Sequence, residues 1–406
     1  MKVLIIGAGA IGNVLARILS KREEFEEVTV ADLKTETAQA LIKRIENPRK
    51  LTAIAMNAGD VDNMKKGMKN VDLVINATLP RFFLKIMQAC LETGSNYMDL
   101  ATDLGVAGKD RAGQRIERVP IDLQLEQDEA WKAADLSAML CWGADPGAVN
   151  VFARYAADKL DRVDQVLVRD GDNSIIEGYD GFASFWSPDT FIEEVGFMQP
   201  LIWTSGHFQR ITPLSKNEFW DFPAPIGRLR VWAVDHEEPE TIGRYIKGCK
   251  DCNFMLSLTD ETVQILRALI KLGLVDPDPI DVKGVKVVPR DVVTACMPST
   301  LDPRFQGKVK GSTCVGAMVI GQKGEQRVGH YVYNIMSHET ANNLYKATAT
   351  AAQTALPPAV AATLFAQGLI KKKGVYPPET LNPLPLMNAF TEFGFTWHET
   401  STQPTV

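Results

Sequence analysis

Gly7, Gly9, Gly12 and Asp32 carry the most specific chemistry in this chain. In MKVLIIGAGAIGNVLARILSKREEFEEVTVAD the three glycines form a G-x-G-x-x-G run, and Asp32 follows 20 residues after Gly12. Gly7 permits a tight turn. Gly9 leaves the backbone open to a pyrophosphate, and Gly12 lets a helix pack closely on a strand. The free N–H groups at the helix start favour the phosphate charge. Asp32 suits both hydroxyls of an adenosine ribose and would repel a 2′-phosphate. It therefore favours NAD over NADP, although Lys34 is near enough to weaken the choice.

A dinucleotide oxidoreductase also needs a proton acceptor and groups that hold the substrate. Asp99 and Asp103 flank the end of one expected strand, and Cys141 and Asp145 flank the end of another. Asp145 followed by Pro146 reads as a helix N-cap with proline at the first helical position, aimed at the ligand crevice. Among five histidines, His236 in HEEPET follows a strand and titrates near neutrality, so it is the histidine candidate for catalysis. Arg244 and Arg290 are candidates for a substrate carboxylate. Trp186, Trp203 and Trp232 are assigned to the core. The Cys249–Cys252 pair lacks a second pair to complete a zinc site, so no metal is expected. No hydrolase or kinase motif appears.

The elements that must position these residues follow from apolar patterning. Strands are expected at 3–6, 28–31, 51–56, 71–77, 97–100 and 136–142, alternating with helices at 13–19, 35–45, 61–69, 82–93 and 126–134. This pattern gives an α/β fold: an N-terminal doubly wound parallel sheet of the Rossmann type. Asp60 and Val61 fall where such a domain lines the adenine, and Asn76, Ala77 and Thr78 end a strand facing the cofactor. The charged stretch 103–125 reads as a surface insertion or lid, and 149–160 as a helix. From about residue 162 the texture changes to strands at 163–170, 201–210, 227–235, 253–258, 285–288, 313–320 and 328–335. These form a second, α+β domain built on a mixed sheet. Helix returns at 340–370, split by Pro357-Pro358, followed by a loop at 374–379 and a short helix at 388–393. The expected divisions are 1–148, 149–338 and a helical segment 339–406 packing back on the first domain.

The net charge of −6 and the lack of a basic run give no support to nucleic acid as a partner. No apolar run reaches the roughly 20 residues of a membrane span. The first strand begins at residue 2, leaving no room for a signal peptide. Six scattered cysteines fit a thiol population in a reducing cytoplasm.

The segments VLIIGAGAIGNVLARILS, DLVINATLP, YMDLATD and GADPGAVNVFARYA, then FWSPDTFIEE, HEEPETIGRYI, VKVVPRDVV and GVYPPETLNP, resemble the saccharopine dehydrogenase-like family in that order. The resemblance implies an NAD(P)-dependent enzyme acting on a C–N bond of an amino acid or its imine. Its members include saccharopine reductases, lysine 6-dehydrogenases and carboxynorspermidine dehydrogenases. A second domain carrying the substrate and a homodimer interface is implied as well. By position, Gly7, Gly9, Ala10, Ile11, Gly12 and Asp32 would bind the dinucleotide, and Asp145, Pro146 and Gly147 would face the substrate. The family's proline in the EPxTxPR segment is Gly243 here. Two other readings follow from the same residues: a dinucleotide-binding regulator without turnover, and a C–N bond-forming polyamine enzyme like homospermidine synthase.

Overall fold

Short runs of consecutive apolar residues become central strands when both faces of a parallel sheet are covered. Lys2–Ile6 (β1) and Leu73–Asn76 (β4) are such runs, buried along almost their whole length. The computed structural model describes residues 1–46, 48, 50–109, 115–298 and 307–403. Beside β1 and β4 lie Glu27–Asp32 (β2), Leu51–Ala55 (β3), Asn96–Met98 (β5) and Ser137–Met139 (β6). A seventh strand, Gly374–Tyr376, joins this sheet from far along the chain. The order is β3-β2-β1-β4-β5-β6 and then Gly374–Tyr376, all parallel. Strand order reverses between β1 and β4, so a ligand crevice opens beyond their carboxyl ends.

Two compact units result. The first is Met1–Tyr155 with Ala351–Trp397. The second is Ala156–Thr350 with the stretch beginning at His398. The sheet of the second unit contains Arg162–Asp172 (β7), Leu201–Thr204 (β8), His207–Arg210 (β9), Asn217–Phe222 (β10), Gly227–Ala233 (β11), Asp251–Ser257 (β12), Ser312–Lys323 (β13) and Gln326–Ser337 (β14). Its path runs β9-β8-β12-β7-β13-β14 and ends on Trp397–Thr402, with the β10–β11 hairpin attached through β11 to β12. The pair β12–β7 is parallel and the neighbouring pairs are antiparallel, so the sheet is mixed. Buried Arg169 on β7 ties the hairpin down, with bonds of 2.9 and 2.7 Å to Glu218 and stacking on Trp220.

Several local expectations are corrected. The segment 374–379 is not all loop, because Gly374–Tyr376 pairs with β6. HEEPET is not a loop throughout: Glu238–Tyr245 is a helix with Pro239 in its first turn, where the missing N–H costs nothing. Pro357 and Pro358 do not split a helix; they lie inside Ala349–Ala366, whose described residues are buried almost all round. Asp145-Pro146 does not start a helix. The helix begins at Ala148, because Gly147 has φ +138 and cannot continue a right-handed turn. Asp145 and Pro146, joined by a cis peptide, instead form a turn closed by a bridge between Gly143 and Gly147. Of the charged insertion, Val106–Lys109 pairs with Arg115–Glu117, and residues 110–114 lie outside the described residues.

Candidate active site

The glycine run sits at the reversal point of the first sheet. Gly7 N donates to Ala31 O at 2.8 Å and Ala77 N to Ile6 O at 2.8 Å, which fixes the ends of β1, β2 and β4 against one another. A Cβ on Gly7, at φ +111, would lie 2.5 Å from Ala77 O, and one on Gly12 would lie 1.9 Å from Gly7 O. A Cβ on Gly9 would meet nothing within 4 Å. Gly7 and Gly12 are therefore demanded by the fold, and Gly9 leaves an open approach to the start of the helix Ala10–Leu19. No side chain caps that helix start. Ala10 and Ile11 form its first turn, so their N–H groups are among the four that helix geometry leaves unbonded. These residues fit a pyrophosphate.

Asp32 ends β2. One carboxylate oxygen accepts from Ala8 N at 3.0 Å, which places the acid beside the loop. Asp60 caps the helix Val61–Gly67 by accepting from Asn63 N at 3.1 Å. Asn76 is fully buried. Its amide donates to Tyr97 Oη at 2.9 Å and accepts from Thr78 N and Oγ1 at 3.1 and 2.7 Å. It shapes the turn that presents Ala77 and Thr78.

The strand ends of β5 and β6 gather a second group. Asp99 is fully buried. Its two oxygens accept from Cys141 N and Gln124 Nε2, each at 2.7 Å. Gln124 Oε1 in turn accepts from Asp103 N at 3.0 Å. Burial pushes the Asp103 carboxyl up to about 6, against the Gly105 and Leu104 N–H groups, which lower it. Cys141 is buried with φ +60. Gln124 thus links two candidate acids. It escaped sequence reading because it lies in the charged stretch, with no motif of its own. Gly147 carries a fold requirement besides any substrate role, since a Cβ there would lie 2.0 Å from Gly143 O.

His236, Arg244 and Arg290 belong to the second unit. His236 Nδ1 lies 2.7 Å from Glu238 and 3.3 Å from Glu237, and the ring stacks on Phe254 at 3.7 Å. Burial lowers its pKa, opposed by Glu237. The hydrogen bond between Nδ1 and Glu238 fixes the orientation of the ring. The three side chains bring one nitrogen and two oxygens within 4.8 Å of one another, a spacing that a metal ion would also accept. Nearby carboxyls repel one another. Burial, then Glu237, pushes Asp235 up to about 8, and burial raises Glu194 well above the carboxylate range. The Arg244 guanidinium stacks on Phe208 at 4.8 Å. Arg290 is buried in a 2.7 Å bond to Glu193 and a 3.0 Å bond to Val275 O, so its charge serves the fold.

A cavity of about 520 Å³ in the second unit is lined by the end of β7, the segment 174–186, the β10–β11 hairpin and the start of the helix Asp260–Lys271. Trp186, expected in the core, lines it instead and packs edge-on against Phe191. Trp203 and Trp232 do pack internally: Trp203 bonds to Cys249 O at 3.0 Å, and Trp232 is buried. Gly243 lies under the Trp203 ring, where a Cβ would come within 2.4 Å, so a proline at this position would collide with the ring. Cys249 and Cys252 are buried free thiols, and burial pushes Cys249 up to about 12.

Residues 3–139 match the saccharopine dehydrogenase NADP binding domain, and residues 143–395 match the saccharopine dehydrogenase C-terminal domain. Carboxynorspermidine synthase of Vibrio cholerae serotype O1 is 29% identical over 421 residues, covering 100% of this chain and 98% of that protein. Carboxyaminopropylagmatine dehydrogenase of Synechocystis is 28% identical, covering 99% and 98%. The fold is shared with apo saccharopine dehydrogenase (L-Glu forming) of Saccharomyces cerevisiae, with a TM-score of 0.70, 15% identity and 99% of both chains covered. It is shared also with the NAD complex of homospermidine synthase from Legionella pneumophila, with a TM-score of 0.69, 14% identity and coverage of 100% and 92%. With both domains matched in order, the chain belongs to the saccharopine dehydrogenase family, NAD(P)-binding oxidoreductases acting on C–N bonds.

Proposed function

We propose that this protein reduces the imine formed between an amine of the polyamine class and a carboxylated aldehyde, and catalyses the reverse oxidation. The observation that carries this reading is the end-to-end similarity to two relatives whose names describe carboxylated polyamine products. In the forward sense the amine nitrogen attacks the aldehyde carbon and water leaves. A hydride then adds to the imine carbon and a proton to its nitrogen, giving a secondary amine. When bound, the nicotinamide supplies that hydride.

The glycine run holds the pyrophosphate on the backbone around Gly9 and the helix start. Asp32 engages the adenosine ribose, and this acid supports NAD over NADP. Val61, next to the Asp60 cap, and Ala77 and Thr78, beyond β4, line the remainder of the dinucleotide site. For chemistry, His236 is the proton carrier, with its ring oriented by Glu238 and Phe254. Asp99 acts through Gln124 and Cys141 to fix the β5 and β6 ends. Asp103, Asp145, Pro146 and Arg244 complete the substrate contacts. The all-thiol cysteines support a reducing compartment. The homodimer expected from the resemblance is checked by light scattering.

The test is consumption of NADH or NADPH at 340 nm with 1,3-diaminopropane and an α-amino-acid semialdehyde. The expected result is oxidation that needs both carbon partners, is faster with NADH, and falls by roughly 10²-fold or more in His236→Asn. Dinucleotide binding without oxidation for any amine–aldehyde pair would overturn the proposal.

A further inference from the structure

A chain of polar groups that no motif announced leads from His338 to the lining of the second-unit cavity. His338 is buried, and its Nδ1 accepts from Ala349 N at 3.0 Å. The neutral ring therefore carries its proton on Nε2. That nitrogen lies 2.5 Å from Ser174 Oγ and donates to it. Burial lowers His338 to about 4, so this tautomer persists at neutral pH. The Ser174 side chain also acts on Asp172, favouring its charged form. Ser174 N also donates to Asp172 Oδ1, at 2.6 Å. Both Ser174 groups draw Asp172 toward the charged form, and burial opposes them, leaving it at about 6.

Asp172 and Ser174 both line the cavity. Tyr179, Phe185, Trp186 and Phe219 provide aromatic walls, and Phe185 also packs against the His338 ring at 5.9 Å. Four acids and two arginines line the space, so its charge balance is negative. The two arginines are offset locally, with Arg230 3.2 Å from Asp260 and Arg228 3.8 Å from Asp221. A partly buried carboxylate amid aromatic faces suits an organic ammonium, which gains from the charge and from the ring quadrupoles together. It suits neither a free anion nor a neutral alcohol.

Taking the substrate to be an amine, as proposed above, we propose that this cavity is the subsite for its ammonium end, with Asp172 as counter-ion and Ser174 and His338 as the residues that position it. The occupant is a primary or secondary alkylammonium, such as one end of a diamine.

The test is calorimetric titration of the full chain with 1,3-diaminopropane, using 1,3-propanediol as the neutral control. Wild type should bind the diamine and not the diol. Asp172→Asn should weaken diamine binding by more than about tenfold, the scale of a lost charged hydrogen bond, while NADH binding to the first unit is unchanged. Ser174→Ala should weaken it several-fold. Failure of the wild type to bind the diamine, or equal binding by Asp172→Asn, would overturn the subsite. If Asp172→Asn loses NADH binding as well, Ser174→Ala decides: weaker diamine binding supports the subsite and unchanged binding overturns it. Turnover separates the two proposals. Oxidation of NADH with an unchanged KM for the amine in Asp172→Asn sinks the subsite and leaves the C–N chemistry intact. Diamine binding that depends on Asp172, without turnover of any amine–aldehyde pair, does the reverse.

Discussion

A methyl group at position 9 and one at position 12 should have opposite consequences. Gly9→Ala enters open space, so its stability cost should stay within about 1 kcal/mol, the scale of a changed helix cap. The same methyl stands where a pyrophosphate must approach, and the Kd for NADH should rise by about tenfold or more. Gly12→Ala drives a carbon to 1.9 Å from Gly7 O and should lower stability by about 1–3 kcal/mol or more. Thermal melts beside fluorescence titration of NADH separate the two effects. Thiol titration tests the cysteines. Cys296 is exposed and the other five are buried, so one thiol should react rapidly in native protein and five only on unfolding. Two fast thiols from Cys249 and Cys252 would contradict their burial. Asp235 gives a pH signature. Its pKa, raised to about 8, means that the folded chain keeps a proton that the unfolded chain releases in the ordinary aspartate range. That stabilisation is complete in acid and lost as pH rises through about 8. The Tm should therefore fall from about pH 4 to about pH 8 and level off above that, and Asp235→Asn should flatten the fall. At this scale the sequence was readable where the cause is local, as in the close contact that a Cβ on Gly12 would make with Gly7 O. It was silent on Asp172, Ser174 and His338, because Ser174 and His338 are separated by 164 residues and neither has a motif.

Elements were legible in proportion to how local their cause is. β1 to β4 each carry an apolar run followed by a turn signal, and the expected and observed bounds agree within about two residues. Gly374–Tyr376 has only three residues and precedes two prolines, so by itself it reads as loop. It becomes a strand because Leu140 N donates to Tyr376 O at 3.0 Å and Gly374 N to Leu136 O at 2.9 Å. Asp128 accepts from Val375 N at 2.8 Å. Gly374 has φ +91, and a Cβ there would lie 2.1 Å from the same Asp128 oxygen. Gly374→Ala should therefore loosen this edge and cost about 1–3 kcal/mol, read as a lowered urea midpoint. An unchanged midpoint would mean that the seventh strand contributes little. HEEPET misleads in the opposite sense. Proline and acids suggest a turn, yet both are favoured in the first turn of a helix. The Asp145-Pro146 signal failed because Gly147 interrupts the helical run immediately after it.

At the scale of the molecule, each unit has its own sheet and its own cluster of polar side chains. The first presents a parallel sheet whose reversal point carries the glycine loop, Asp32 and the β4 turn. The second presents a mixed sheet with the His236–Glu238 pair and an aromatic cavity that has Asp172 in its lining. Among the described residues, no helix is long and apolar enough to cross a membrane. The broad architecture was readable because strand–helix alternation continues through residue 142 and then stops. The first unit also takes in Ala351–Trp397, far along the chain. The central claim is hydride transfer to a carbon bonded to nitrogen. Its most direct test uses NADH deuterated at the transferred position, with 1,3-diaminopropane and an α-amino-acid semialdehyde, and follows the product by mass spectrometry. The account predicts a secondary amine with one deuterium on the carbon next to the new nitrogen bond. Oxidised NADH without that label, or a labelled alcohol in place of the amine, would contradict it.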